Sequence, residues 1–375
     1  MKVLVIGMAD SIHLAKWLLQ FSDSDISFRV ISSSPHRLVH PKLNELLQNP
    51  NFSMNWVSRC FSFLLWLGDR ILSDRLRGAL IASEIASFKP DIVHVLEFQN
   101  GGYAFLRARE LAKATPGYKV LLTPYGSDIS WYQNYPNHLR KLQKLLSMAD
   151  GLSSECRRDE LLAAKHGFSG IFLPRIPAFG SIHLVPPNPN RAHRNCIAVK
   201  GYQNKWGQAL VALEALASIA PQLKDLTIEI YSAEGKAISA AKTLHKKTGL
   251  EVKIHRKHAM TNEEVLDLFS RSQVYLGLSK SDGISASMIE AMSRGAIPIQ
   301  SDTSCCGEWL DDGIGGHLVK FDEVDVIASK VSKVISDKQF QVRAANHNYE
   351  TLNIKLYAAN NQNAALETYK LLILD

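Results

Sequence analysis

No stretch of this chain approaches the ~20 consecutive apolar residues that cross a bilayer as a helix. The opening, MKVLVIGMADSIHLAKW, has only Lys2 and a short apolar run in common with a signal peptide, and Asp10 and His13 break that run. A first β-strand is the better reading. Cysteine is scarce: the 375 residues hold five, Cys60, Cys156, Cys196, Cys305 and Cys306, with no CxxC pair. That pattern gives no basis for a disulfide framework or a thiolate zinc site, and it fits a reducing cytoplasm. No G-x-G-x-x-G is present, which argues against dinucleotide binding. No HExxH, H-x-E or DxD-type metal set stands out either, so no metal site is expected. An acidic excess is also lacking. Net charge is +7, and residues 1–185 hold 21 Lys/Arg against 15 Asp/Glu while residues 186–375 hold 22 against 21. The first half therefore either carries a solvated basic surface or meets an anionic partner.

What is present is alternation. Val3-Leu4-Val5-Ile6 closes on Gly7, a helical period follows, and Phe28-Arg29-Val30-Ile31 reads as a second strand. Further buried-type strands are expected at 90–95, 119–123, 151–154 and 170–174. Residues 176–195 carry Pro177, Pro186, Pro187 and Pro189 and read as a linker with an irregular lead-in. A second series then begins, with strands at 196–199, 226–231, 252–254, 274–278 and 297–299. Helices are expected at 206–219, 235–248, 262–270, 285–294 and 323–336. Thr261 or Asn262 should cap the helix whose first turn holds Glu263 and Glu264. The fold class is α/β, with two doubly wound halves whose ligands would sit beyond the carboxyl ends of the strands. Residues 57–72, VSRCFSFLLWLGDRIL, are apolar and aromatic-rich. They read either as a helix covering the first sheet or as an amphipathic face meeting a membrane interface.

The stretch SKSDGISASMIEAMSRGAIPI, 279–299, carries the sharpest chemical signal. Ser285 can cap a helix whose N-terminus offers backbone N–H groups and a positive dipole end, a setting for phosphate. Glu290 lies slightly over one turn inside, among Met288, Ile289, Ala291 and Met292. An unpaired carboxylate is costly to bury there, and one that faces a ligand can accept two hydrogen bonds from a vicinal diol. The alternative is a helix-surface pair of Glu290 with Arg294. Asp282 sits on the loop ahead. His94, at a strand end, is either a core histidine or a ligand contact.

The block from Val274 to Leu318 resembles the donor site of family 4 (group 1) retaining glycosyltransferases, which have the GT-B fold of two Rossmann-like domains facing a central cleft. Their E-x7-E signature stands here as Asp282-x7-Glu290, with a shorter first carboxylate. The turn SRGAIP that follows places its proline one residue later than usual. IAVKGYQNKWGQALVALEAL resembles the strand and turn that open the second domain, DIVHVLEFQNGGY a "DIVH" strand, and SSECRRDELLAAKHGF an "S…RD" segment near the hinge. TPYGSDI resembles a T-x-HGSD segment in which Tyr125 replaces the usual His.

The resemblance implies a domain order: 1–180 for the acceptor, 181–195 as linker, 196–340 for the nucleotide sugar, and 341–375 as helices returning to the first domain. It implies Glu290 on the nucleotide ribose, Asp282 by the sugar, and Lys200 or Lys205 with the backbone of Gly283, Ile284 and Ser285 on the phosphates. Gly7, Ser11, His13, Tyr125 and Asp128 would line acceptor loops, with His94 as a further catalytic or acceptor contact. The implied reaction transfers a sugar to an acceptor hydroxyl with retention, in cell-surface polysaccharide or glycolipid synthesis. No cofactor or metal is implied. The partners are a nucleotide sugar, a glycan or lipid-linked acceptor and an anionic membrane surface, with no nucleic acid. The location is the cytoplasm or the inner face of the membrane. A nucleotide-sugar epimerase and a non-catalytic nucleotide-sugar-binding relic stay open as alternatives.

Overall fold

Val3 to Ile6 are β-branched or leucine and have no polar side chain, as suits a strand covered on both faces. All four are fully buried in the computed structural model, which describes residues 1–112, 117–177, 182–188, 190–191, 193–303, 305–356 and 358–374, with only the backbone of 358–361. They form the centre of β1 (Lys2–Gly7). It is followed by β2 (Ser27–Ser32), β3 (Phe52–Met54), β4 (Ile92–Leu96), β5 (Lys119–Thr123), β6 (Gly151–Leu152) and β7 (Ile171–Phe172). These seven make one parallel sheet in the order β3-β2-β1-β4-β5-β6-β7. A second parallel sheet has the order β10-β9-β8-β11-β12-β13. Its strands are β8 (Cys196–Lys200), β9 (Thr227–Ala233), β10 (Val252–Arg256), β11 (Ser272–Gly277), β12 (Ile297–Ser301) and β13 (His317–Val319). In each sheet the chain winds outward from its first strand, then returns to that strand's other side. The reversals fall between β1 and β4 and between β8 and β11, and crevices for ligands open at such points.

The chain divides into two units, Met1–Ser181 with Ala358–Asp375, and Ile182–Tyr357. The helix Ala358–Leu374 supplies Ala365, Tyr369 and Leu372 to the core of the first unit, beside Trp17, Phe21 and Phe28. Trp17 donates its indole N–H to the Tyr369 hydroxyl at 3.1 Å. The helix Lys338–Lys355 stays with the second unit. Of the expected linker 181–195, residues 181, 189 and 192 lie outside the described residues. Arg191 and Arg194 from that stretch are buried in the second unit. Arg194 donates to the carbonyls of Phe269 at 3.1 Å, Ser272 at 2.8 Å and Arg294 at 2.5 Å, at the C-termini of the helices Asn262–Arg271 and Ala286–Ser293. Arg191 donates to Gly295 O at 2.8 Å and Gln341 Oε1 at 3.2 Å. Burial, and for Arg191 the neighbouring Arg194 as well, lowers the two guanidinium groups to about 9 and about 10.

Residues 57–72 do not cover the first sheet with their apolar side. They form helices Trp56–Cys60 and Ser62–Leu72, and the second of these buries only Ser62 and Asp69. Its apolar residues Phe63, Leu64, Leu67, Ile71 and Leu72 are exposed.

Candidate functional site

β8 and β11 flank the second reversal, so their carboxyl ends bring residues 200–207 and 278–285 side by side. Lys200, the last residue of β8, places Nζ 3.8 Å from Asp282 Oδ2. Its ammonium also lies 5.1 Å from the centre of the Tyr202 ring. Burial alone would lower the Lys200 pKa, but Tyr275, Asp282 and Tyr202 outweigh it and raise the pKa above the ordinary lysine value. The amine therefore stays charged in a half-enclosed position. Gly201 makes this turn feasible, since a Cβ there would come within 2.7 Å of Ala233 Cα and 2.8 Å of Tyr231 O. Lys205 sits on the exposed part of the same loop, its Nζ 4.7 Å from the Trp206 ring. The structure thus brings Lys200 up to Asp282.

Asp282 Oδ1 accepts from the N–H of Gly283 at 2.9 Å, and Gly283 O accepts from Cys305 N at 2.9 Å. These bonds fix the loop ahead of the helix Ala286–Ser293. Ser285 is the N-cap residue, but it makes no capping bond and its Oγ lies 3.5 Å from Tyr275 Oη. Met288 N donates to Ser285 O at 2.9 Å, and the N–H groups of Ala286 and Ser287 ahead of it have no partner within the helix by geometry. Ile284 and Ser285 are buried. Glu290 is half-buried on that helix, between the buried pairs Met288–Ile289 and Ala291–Met292. An ammonium, a helix N-terminus and a carboxylate one turn further in are therefore gathered at one strand reversal. That arrangement can hold a diphosphate and a diol. The aromatic members, Tyr202 and Tyr275, were missed in the sequence. The tyrosine next to Gly201 was the only signal available for the first of them.

In the first unit, Ser11 caps the helix Ile12–Leu19, its Oγ accepting from His13 N at 3.1 Å. The His13 ring is 5.6 Å from the Tyr125 ring, so the loops after β1 and β5 meet. Asp10 Oδ1 and Tyr125 Oη are buried without a hydrogen-bond partner among the described residues, a condition that a polar ligand would relieve. Gly7 serves packing: a Cβ there would sit 3.3 Å from Leu14 Cδ1.

Asp128 is buried, and its carboxylate is engaged by backbone. Its Oδ2 accepts from Tyr125 N at 2.8 Å and Phe98 N at 3.0 Å, tying two loops together. Beside it stands Glu97, which sequence reading passed over. Glu97 has φ 71, a left-handed backbone, and its carboxylate accepts from the N–H groups of Asn100 and Gly101. It thereby holds the one-turn helix Phe98–Gly102 at the end of β4. Burial raises both carboxyls; the two N–H bonds partly offset this for Glu97, while the Glu97 charge adds to it for Asp128.

His94 requires a correction. It is fully buried, with Nδ1 2.8 Å from Tyr369 Oη and Nε2 2.8 Å from Thr123 Oγ1. Burial pushes its pKa down to about 3. A neutral imidazole with both nitrogens engaged in the core cannot reach an acceptor or take a proton from one.

Two parallel Rossmann-like sheets in one chain, with the candidate site at the second reversal, define a protein of the GT-B class. Residues 189–351 match the family model of glycosyl transferases group 1. Among curated proteins it is similar to a GDP-mannose:cellobiosyl-diphosphopolyprenol alpha-mannosyltransferase of Xanthomonas oryzae pv. oryzae, at 28% identity over 97 residues. That match covers 25% of this chain and spans about a quarter, 26%, of the relative's length. Among solved structures, Anabaena HepE in complex with UDP superposes with a TM-score of 0.72 at 13% identity, covering 99% of this chain and 100% of that one. Sucrose-phosphate synthase from Thermosynechococcus elongatus gives 0.68 at 12% identity, covering 99% and 98%. At such identities these two structures speak for the fold alone.

Proposed function

We propose that the protein transfers a hexosyl group from a nucleoside diphosphate sugar to a hydroxyl of a glycan or lipid-linked acceptor, as a retaining enzyme of the family 4 type. The observation that carries this reading is the Lys200–Asp282 pair beyond β8 and β11, ahead of a helix that bears Glu290 one turn in. Lys200 and the first-turn amides would take the diphosphate, Glu290 the ribose hydroxyls, and Asp282 would face the sugar. A charged lysine and amides already aimed at the phosphates stabilise the leaving diphosphate as the glycosidic bond breaks. They do so without a metal. The incoming hydroxyl passes its proton to the leaving phosphate, so the reading assigns no side chain as base. Asp10 and Tyr125, with unsatisfied polar atoms in the first unit, suit sugar hydroxyls of donor or acceptor. The HepE complexes with UDP and UDP-glucose and the diphosphopolyprenol acceptor of the mannosyltransferase relative support this choice of partners. The setting would be the cytoplasm, with the protein peripheral on the inner face of the membrane in polysaccharide or glycolipid synthesis.

The test is a thermal-shift panel of nucleoside diphosphates and their sugars, run with and without a chelator. One nucleotide series should raise the melting temperature, unaffected by the chelator. A flat panel would overturn the reading.

A further inference from the structure

The helix Ser62–Leu72 is built inside out. Its buried residues are Ser62 and Asp69, and Asp69 is consumed by Arg77, whose Nε donates to it at 2.6 Å. At 100° per residue, Phe63, Leu64, Leu67 and Ile71 fall within an arc of about 100° on the opposite side. Ile71 is 81% exposed and Leu64 52%. Nine of the 22 large apolar side chains exposed among the described residues lie between Trp56 and Leu76, so this is a patch and not scatter. Arg59, Arg70 and Arg75 stand exposed in the same stretch. Its only acids, Asp69 and Asp74, are both bound to Arg77.

One edge of this face opens into a pocket of about 260 Å³, lined by Trp66, Arg70, Asn100, Tyr103, His138 and Lys141 among others. Trp66 joins face to pocket. Its ring lies 6.0 Å from the Phe63 ring and 5.1 Å from the Arg70 guanidinium. Lys141 sits over the Tyr103 ring at 4.6 Å. The lining holds three cations, Arg70, Arg77 and Lys141, against the two carboxylates of Asp69 and Asp74. Asn100 lines the pocket from the turn that Glu97 holds, so one wall of the pocket is the segment that follows β4.

We infer that face and pocket form one binding site for an anionic lipid in a bilayer, with the apolar face lying in the interface and the pocket taking a phosphate-bearing headgroup. Charge selects this occupant. A second copy docked face to face would bring arginines together with no free acid to meet them, whereas anionic headgroups complement them. An apolar stripe flanked by arginines is also the pattern of a helix that lies on a membrane. The inference builds on the transferase reading in placing a lipid-linked acceptor beside the end of β4.

The test is co-sedimentation of the full chain with vesicles of phosphatidylcholine, with or without a third of phosphatidylglycerol. The wild type should bind the anionic vesicles about tenfold more strongly than the neutral ones. Leu67→Glu with Ile71→Glu should abolish binding to both. Arg70→Ala with Lys141→Ala should keep the apolar contact but bring the preference down towards unity. All four positions are exposed, so melting temperature and nucleotide-induced shift should stay as in the wild type. Equal binding to neutral and anionic vesicles, or glutamate variants that bind like the wild type, would overturn the inference. So would a concentration-dependent dimer lost in the glutamate variants without any vesicle binding. A nucleotide shift that persists while vesicle binding fails would sink this inference and leave the transferase reading standing; the reverse result would do the opposite.

Discussion

At the scale of single residues, Lys200 and Lys205 separate cleanly. Lys200→Ala should remove most of the melting-temperature rise given by the nucleoside diphosphate that binds. Lys205→Ala, on the exposed side of the loop, should leave it nearly unchanged. Glu290→Gln should weaken nucleotide binding by about tenfold to a hundredfold, the range for losing charged hydrogen bonds to a diol, measured by calorimetric titration. His94 gives a prediction about acid. Its pKa falls from 6.5 to about 3 on folding, so below pH 6.5 the unfolded chain binds a proton that the folded chain refuses. The stability tied to this group is complete above 6.5 and is lost as pH falls toward 3. The loss is about 1.4 kcal/mol per pH unit. Urea unfolding of the first unit over that window should show this slope, and His94→Gln should flatten it.

At the scale of elements, Arg194 is the piece that holds the helix Ala286–Ser293. It bonds carbonyls at the C-termini of Asn262–Arg271 and Ala286–Ser293, where a cation also meets the negative dipole ends. Arg194→Met should destabilise the second unit by about 2–4 kcal/mol and weaken nucleotide binding with it, because Glu290 rides on the second of those helices. Denaturant melts with and without nucleotide would read both effects. This contact was not legible in the sequence: an arginine in a proline-rich stretch looks solvated, and nothing in the spacing names carbonyls 75 to 100 residues away. The local signals carried much further. Thr261 and Glu264 exchange bonds across the first turn of Asn262–Arg271 as TNEE suggests, at 3.2 and 2.7 Å. The longer apolar runs became strands within a residue or two of their expected ends. β3 and β13, of three residues each, are too short to show an alternation. The helix Ser62–Leu72 reversed the usual inference, since apolar content alone says that a face is sticky and not which way it points. Glu97 escaped notice because its role lies in a backbone angle, which a side-chain pattern does not report.

At the scale of the whole molecule, the two units differ in how they are closed. The second is contiguous from Ile182 to Tyr357, while the first needs the helix Ala358–Leu374 for its core. Removing residues 358–375 strips Tyr369 from Trp17 and His94 and leaves a large apolar void. The first unit should then melt well below its normal temperature, while the second keeps both its transition and its nucleotide response. Scanning calorimetry would show one transition moving and the other holding still. The same feature bears on synthesis at the ribosome. The earlier-made unit has to wait, incomplete, while the later-made one emerges and is free to fold ahead of it. A chaperone that shields the nascent chain would therefore have to guard the amino-terminal sheet, until Tyr369 arrives to fill it.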